Sequence, residues 1–277
     1  MTIWSVIWKS AILGTVQGLT EFLPVSSSGH LTLLQQLLHY ELGEAGMTFV
    51  NVLLHFGTLL SVIAVFWRDI LSLFKKPFKT LFMLVAATVP AGTVGLLLND
   101  KIEALFDPAC NSAWLISLAV CFLVTALILL ITEVVSSRQK KTEPLSWKHA
   151  IPMGIAQAAA LLPGVSRSGS TIAAGVFAGA KREDVARFSF LLSIPVILGS
   201  LIVEVFHLIK PSGGAAVLIG TNEIVGMAVG VVFSAAAGFI AVKLMLKVIQ
   251  KSNYKWFVVY LVALSLTCFW LNTLGVL

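Results

Sequence analysis

The sequence predicts an all-α polytopic integral membrane protein with six full transmembrane helices and two re-entrant helical hairpins. Three observations predict this class: the composition, the spacing of the apolar runs, and two polar segments that interrupt such runs. Of the 277 residues, 58% are hydrophobic and only 12% are charged, whereas soluble domains carry about 25% charged residues. Together with a mean hydropathy of +0.95, this places the chain among helical membrane proteins.

Six stretches are long and apolar enough to cross a bilayer, which needs about 20 such residues. These stretches are 47–67, 80–98, 112–134, 186–208, 221–246 and 254–276. Two further apolar regions are broken in the middle, residues 3–40 by PVSSSG and residues 150–180 by PGVSRSGS. Each half of the second region is too short to cross alone, whereas the first half of residues 3–40 is long enough for a full span.

Basic residues collect in a few short loops, as is typical of cytoplasmic loops. Most of the 19 Lys and Arg residues lie in the segments 68–79, 135–149, 181–187 and 247–255. The alternate loops are acidic or nearly neutral. Each broken region must therefore enter and leave the membrane on the same face. We expect 150–180 to dip in from the cytoplasmic side and 3–40 from the outer face. The net charge of +6 is then an orientation signal, and no nucleic-acid partner is expected.

The two broken regions resemble each other in an ungapped alignment. Gly14, Gln17, Val25, Ser26, Ser28 and Gly29 recur as Gly154, Gln157, Val165, Ser166, Ser168 and Gly169. Each hairpin is followed by three spans, and an odd number of crossings inverts the second copy, as in many transporters. We therefore predict one membrane domain, 1–277, with an inverted-topology repeat: repeat one about 1–134 and repeat two about 150–277, joined by the basic cytoplasmic loop 135–149.

The two polar turns are expected to meet near the membrane midplane, because irregular backbone is tolerated there only inside protein or beside a wet cavity. Arg167 is the one Arg or Lys placed deep in apolar sequence, where a charge costs at least about 2.5–3.5 kcal/mol. Its guanidinium suits phosphate oxygens. The second turn also opens a helix, at Gly169, and helix N-termini bind anions. This turn therefore predicts an anion site, with phosphate as the best candidate.

The first turn carries the reactive groups. His30 suits a nucleophile or a general acid–base. Ser26 or Ser27 suits a nucleophile if His30 or Glu21 takes its proton. Gln17 and Glu21 are four residues apart and share a helix face, where their oxygens suit Mg²⁺ or Ca²⁺. Together with an anion site, these groups indicate phosphoryl transfer from a phosphate ester or anhydride.

The segments QGLTEFLPVSSSGH, residues 17–30, and PGVSRSGST, residues 163–171, closely resemble the undecaprenyl-pyrophosphate phosphatase family. These are the bacitracin-resistance phosphatases of bacterial inner membranes, and the resemblance covers most of the chain. It implies hydrolysis of undecaprenyl pyrophosphate to undecaprenyl phosphate and phosphate, which recycles the lipid carrier for peptidoglycan synthesis. It also implies a divalent cation and a site open to the periplasmic side. Many members have glutamate where this chain has Gln17, which leaves Glu21 as the sole acid there.

The resemblance also implies roles for individual residues. We expect Ser27 to attack, His30 to act as acid–base, and Glu21 to be a metal ligand or the partner of His30, while Ser26 and His30 stay open as nucleophiles. The expected catalytic residues are Glu21, Ser27, His30 and Arg167; the substrate-binding residues are Gln17, Ser26, Ser166, Ser168 and Thr171; and the metal ligands are Gln17 and Glu21.

Alternatives remain at this point. A secondary transporter or flippase for a lipid-linked phosphate would also explain an inverted repeat, although it needs no nucleophile such as Ser27. Arg167 has a second interpretation as the structural partner of Glu21, and His55 is interpreted as a hydrogen-bonded helix contact. The expected partners are an isoprenoid lipid pyrophosphate and the bilayer, and the sequence does not distinguish a monomer from a homodimer.

Overall fold

The computed structural model describes residues 2–40, 43–139, 141–209, 221–251 and 254–275. Parts of four predicted loops, at residues 41–42, 140, 210–220 and 252–253, lie outside the described residues. The described chain is all-helical, apart from one isolated β-bridge. Its helices are α1 (Ile3–Phe22), α2 (Ser27–Leu37), α3 (Gly43–Leu73), α4 (Lys79–Phe106), α5 (Trp114–Arg138), α6 (Trp147–Ala159), α7 (Arg167–Phe177), α8 (Arg182–Ile209), α9 (Thr221–Lys251) and α10 (Lys255–Leu274).

Six helices have the length and apolar composition of a membrane span: α3, α4, α5, α8, α9 and α10. Each of the six stretches predicted from the sequence overlaps one of these helices, so the prediction is confirmed. Their outer faces carry large exposed apolar side chains, such as Leu97, Ile202 and Trp270, and a face of this kind suits contact with lipid. The chain is therefore a multi-pass membrane protein.

The other four helices form two pairs, each broken by a polar turn. In the first pair, α1 has 20 residues and α2 has 11. In the second pair, α6 has 13 residues and α7 has 11. At about 1.5 Å per residue, α2, α6 and α7 are too short to cross the roughly 30 Å of bilayer hydrocarbon. Helix α1 is longer, but it is not among the six spans found in the described chain.

The turns between the paired helices follow from local sequence. Pro24 lacks an N–H and interrupts the helical ladder after α1, and Ser26 then adopts a left-handed φ of 69° and caps α2. In the second pair Gly164 has a φ of 92°, which glycine adopts without steric cost. Ser166 caps α7, accepting a hydrogen bond from the N–H of Gly169 at 3.1 Å. Helix α7 therefore begins at Arg167, two residues before the start expected at Gly169.

The short pairs are held by long helices that come from distant parts of the chain. Helix α1 packs along α9, and α6 packs along α4. Both contacts bring backbones together: a methyl group on Gly154 of α6 would lie 2.6 Å from the carbonyl oxygen of Ala87 in α4, and Gly14 of α1 lies similarly against Gly230 of α9. Small residues of this kind are typical of close helix packing in membranes.

The largest apolar cluster surrounds both turns. Phe22 and Val25 of the first turn are buried in it, as is Val165 of the second. Phe122 from α5 and Phe190 from α8 complete the surroundings. The polar turns are therefore enclosed by protein rather than left in hydrocarbon, which satisfies the requirement that irregular backbone be shielded from lipid.

Candidate active site

The two polar turns are in direct contact. The backbone N–H of Gly164 donates to Ser26 Oγ at 3.0 Å, and Ser168 Oγ donates to the carbonyl of Leu23 at 3.1 Å. Gly29 has no room for a side chain, because a Cβ there would lie 2.8 Å from the ring of Phe122. Residues from both turns are thereby placed within reach of one another.

Glu21 is the centre of the polar network. Its Oε1 accepts a hydrogen bond from Arg167 Nη2 at 2.5 Å. Its Oε2 accepts from Ser27 Oγ at 2.6 Å and from Gln17 Nε2 at 3.1 Å, and His55 Nε2 lies 3.8 Å away. The side chains of Glu21 and Arg167 are only 8% and 14% exposed. Each charge compensates the other, since an unpaired charge would be costly to bury at this depth.

Ser27 and Ser26 have different surroundings. Ser27 is the first residue of α2, partly exposed, and its hydroxyl donates directly to the Glu21 carboxylate. A hydroxyl that donates to a base is the arrangement of an activated nucleophile. Ser26 is buried, and its Oγ accepts from the backbone N–H groups of Gly164 and Gly29. Ser26 therefore joins the two turns, while Ser27 points to the carboxylate.

His30 is held by two partners other than Ser27 and Glu21. Its Nδ1 lies 2.7 Å from the carbonyl oxygen of Ser26, and its Nε2 lies 2.6 Å from the hydroxyl of Tyr260. A carbonyl oxygen only accepts hydrogen bonds, so Nδ1 carries a proton. In the neutral ring Nε2 is then the acceptor, and Tyr260 is the donor. Both nitrogens are thus in use, and the proton acceptor nearest to Ser27 is Glu21.

The other residues expected to bind substrate hold the second turn together. Ser166 Oγ caps α7 and lies 3.2 Å from Ser168 Oγ. Thr171 Oγ1 donates to the carbonyl of Arg167 at 2.9 Å and lies 2.7 Å from Ser189 Oγ. All three hydroxyl groups are buried. Their substrate-binding roles stay predictions, and the contacts seen here position Arg167.

Two residues contact the site groups in a way that the sequence did not indicate. His55 was interpreted as a helix contact, and its Nδ1 does lie 2.8 Å from the carbonyl of Asn51, but its Nε2 faces the Glu21 carboxylate. The signal that could have placed His55 at the site is its position as a histidine within an apolar span. Tyr260 lies on α10, where nothing in the sequence singles it out among the aromatic residues of a transmembrane helix.

The donors for the expected cation are Gln17 and Glu21. Gln17 Oε1 is buried and has no hydrogen-bond partner, so it is available as an oxygen ligand. No group of three or more His, Cys, Asp or Glu side chains suited to a metal is present among the described residues. One carboxylate with one amide oxygen fits a cation of the Mg²⁺ type, which commonly keeps several waters and binds substrate phosphate.

Comparisons with known proteins give one consistent result. The model of the family described as "Bacitracin resistance protein BacA" matches residues 10–267. A protein of Carboxydothermus hydrogenoformans named undecaprenyl-diphosphatase is 38% identical over 269 residues, covering 97% of this chain and 98% of that relative. A protein of Geotalea daltonii with the same name is 39% identical over 272 residues, covering 94% of this chain and 96% of the relative.

Proposed function

The chain belongs to the bacitracin resistance protein BacA family, and we propose that it hydrolyses undecaprenyl diphosphate to undecaprenyl phosphate and phosphate. This reaction returns the lipid carrier to the form that peptidoglycan synthesis uses. The observation that carries the proposal is the chain of contacts from Ser27 through Glu21 to Arg167. It places a hydroxyl, a base and a guanidinium suited to phosphate in one network, and a transporter does not need this combination.

In the first step, Ser27 Oγ attacks the terminal phosphorus as its proton passes to Glu21. A bond forms between Oγ and phosphorus, and the bond from phosphorus to the bridging oxygen breaks. Undecaprenyl phosphate leaves with the electron pair, and a phosphoserine remains. The leaving group is undecaprenyl phosphate, which is a stable anion, so a strong general acid is not needed. Catalysis of this kind depends mainly on positioning and on charge stabilisation.

Arg167 gains a second function during this step. Before proton transfer, its charge is balanced by Glu21 at 2.5 Å. When Glu21 accepts the Ser27 proton, the carboxyl becomes neutral, and the guanidinium charge is available to the developing charge on phosphate. Stabilisation that is stronger in the transition state than in the ground state accelerates the chemistry. The ion pair and the substrate-binding interpretation of Arg167 are therefore compatible.

In the second step, water attacks the phosphoserine. The bond between phosphorus and Ser27 Oγ breaks, Glu21 returns its proton to Oγ, and inorganic phosphate leaves as H₂PO₄⁻, which keeps both protons of the water. A divalent cation held by Gln17 Oε1 and Glu21 would supply charge neutralisation for the phosphate oxygens. His30 serves this scheme by holding the turn before Ser27, because both of its nitrogens are engaged elsewhere.

The proposed architecture is an inverted-topology repeat in which the two broken pairs are re-entrant hairpins. Reciprocal packing supports this: α1 lies on α9 as α6 lies on α4, and α3 lies on α9 as α8 lies on α4. The caps correspond as well, with Ser26 bonded to Gly29 as Ser166 is to Gly169. In a bacterial inner membrane, with the basic loops in the cytoplasm, the first turn then opens toward the periplasm.

Accessibility labelling tests this orientation. In a chain free of native cysteines, Ser28→Cys reports on the first turn and Lys75→Cys reports on the exposed loop after α3. We expect an impermeant thiol reagent to reach position 28 from the outer side only, and position 75 from the inner side only. Labelling of both positions from the same side would contradict the orientation.

Phosphate release from undecaprenyl diphosphate by the purified protein in detergent tests the function. Ser27→Ala is expected to reduce the rate by more than about 10³-fold, because the nucleophile is lost. Ser137→Ala is the matched control, since that exposed hydroxyl bonds only to its own helix. Lipid transport without hydrolysis by the unmodified protein would support the transporter instead.

A further inference from the structure

We infer that Tyr260 is a positioning residue for Ser27, acting through His30 and the backbone of Ser26. The inference rests on the proposed function, in which Ser27 is the nucleophile. Tyr260 lies on α10, 230 residues from His30 along the chain. The contact joins the last helix to the first polar turn.

Tyr260 holds the imidazole of His30 by both its hydroxyl and its ring. The hydroxyl lies 2.6 Å from Nε2. The two rings are stacked, with centroids 5.6 Å apart and planes 9° apart. Phe122 packs against the imidazole edge-on, with centroids also 5.6 Å apart. His30 is only 8% exposed, so the Tyr260 hydroxyl satisfies a buried nitrogen lone pair that would otherwise have no donor.

The imidazole in turn holds the carbonyl of Ser26. Both the ring Nδ1–H of His30, at 2.7 Å, and its backbone N–H, at 3.3 Å, donate to this oxygen. Ser26 needs such support because its φ of 69° is a left-handed conformation that residues with a side chain rarely adopt. Surrounding contacts must maintain a conformation of this kind. His30 supplies two of them, and Tyr260 keeps the His30 ring in place to do so.

The conformation of Ser26 determines where the hydroxyl of the next residue, Ser27, lies. Ser26 is the N-cap of α2, and Ser27 is its first helical residue. If the Ser26 carbonyl rotates away, the Ser27 hydroxyl moves with it and loses its 2.6 Å contact with Glu21. Small misplacements of reacting groups reduce rates strongly. Tyr260 therefore affects the chemical step without touching the reacting atoms.

Tyr260→Phe tests the inference because it removes the hydroxyl and keeps the stacked ring. We expect kcat for phosphate release to fall about 2- to 10-fold, in line with the loss of one hydrogen bond, with KM nearly unchanged. Tyr40→Phe is the matched control: it removes a hydroxyl that lies 2.9 Å from Ser10 Oγ, away from the polar turns, and should leave kcat unchanged. A Tyr260→Phe variant as active as the unmodified protein would overturn the inference.

A double-mutant cycle separates positioning from a general loss of stability. In a His30→Ala background, Tyr260→Phe should change kcat by less than about 2-fold, because its partner is already absent. Losses that multiply in the double variant would show that Tyr260 acts independently of His30, which contradicts the inference.

A spectroscopic measurement gives a result that does not depend on activity. In protein labelled with ¹⁵N-histidine, His30 should show a protonated Nδ1 and an unprotonated Nε2, assigned by comparison with His30→Gln. Tyr260→Phe should shift the Nε2 resonance, and an unshifted resonance would count against the inference. If the unmodified protein releases no phosphate, the proposed function fails, while the spectra still report on the contact.

Discussion

Replacement of Glu21 by glutamine tests two functions assigned to this carboxylate, as the base for Ser27 and as the counter-charge of Arg167. Glutamine has nearly the same shape, so it can still accept from the Ser27 hydroxyl and pack beside Gln17. It cannot take the Ser27 proton, and it leaves the guanidinium of Arg167 without a counter-charge. The variant should therefore lose both activity and stability, by different mechanisms.

The expected size of each loss follows from the site. General-base catalysis contributes about 10²- to 10⁴-fold, so phosphate release should fall by at least about 100-fold. Removing one partner of a buried ion pair costs about 3–5 kcal/mol. Because the Arg167 side chain is 14% exposed, water relieves part of this cost, and we expect the lower end of that range. The lost stability should appear as a lower unfolding midpoint in detergent.

A second variant distinguishes these effects. Glu21→Gln combined with Arg167→Met removes both charges, so no uncompensated charge stays buried, and the main cost of breaking the ion pair is avoided. The double variant should therefore recover most of the unfolding midpoint while remaining inactive. If the single variant keeps more than a tenth of the original rate, Glu21 is not the base. If the double variant is no more stable than the single one, the ion pair does not explain the stability loss.

Four further results are expected. Gly29→Ala should destabilise the protein by about 2 kcal/mol or more, since its Cβ would lie 2.8 Å from Phe122 and overpacking costs about 1–3 kcal/mol. The measurement is thermal unfolding, and Gly199→Ala, which has open space around it, is the control. His55→Ala should lower kcat by about 2- to 10-fold without affecting folding, because it removes a polar neighbour of the site carboxylate, and an unchanged kcat would place His55 outside the site. Chelation of divalent cations should abolish phosphate release, and activity that is indifferent to chelation would exclude the cation. Gln17→Glu should lower the Mg²⁺ concentration that restores half the rate, because a second carboxylate binds this cation more strongly.

Much of the fold could be predicted from composition and periodicity. The bilayer requires about 20 apolar residues per span, so the six spans are visible as uninterrupted apolar runs. The helix breaks are visible too, because the segments PVSSSG and PGVSRSGS combine proline with glycine and serine, which favour turns. Proline alone is not the signal, since Pro90, Pro152 and Pro195 lie inside helices. The exact start of α7 was misplaced by two residues, since Ser166 is a stronger N-cap than the glycine on which the expectation rested.

The candidate site was predictable as a set of residues but less so as a set of contacts. Polar and charged side chains in an apolar sequence stand out, which identified Glu21, Ser27, His30 and Arg167. The sequence left open whether His30 or Glu21 takes the Ser27 proton. The structure puts Ser27 beside Glu21 and His30 beside Tyr260, and the Ser26 carbonyl and the Tyr260 hydroxyl engage both nitrogens of the imidazole.

The sequence by itself determined where the chain crosses the membrane, where its helices break and which polar groups lie at the breaks. These properties depend on residues that are near one another in the chain and on the uniform cost of placing polar groups in hydrocarbon. Only the tertiary structure decided the partners: Arg167 with Glu21 across 146 residues, and Tyr260 with His30 across 230. Such hydrogen bonds require donor and acceptor within about 3 Å, and that proximity is set by how the long helices pack.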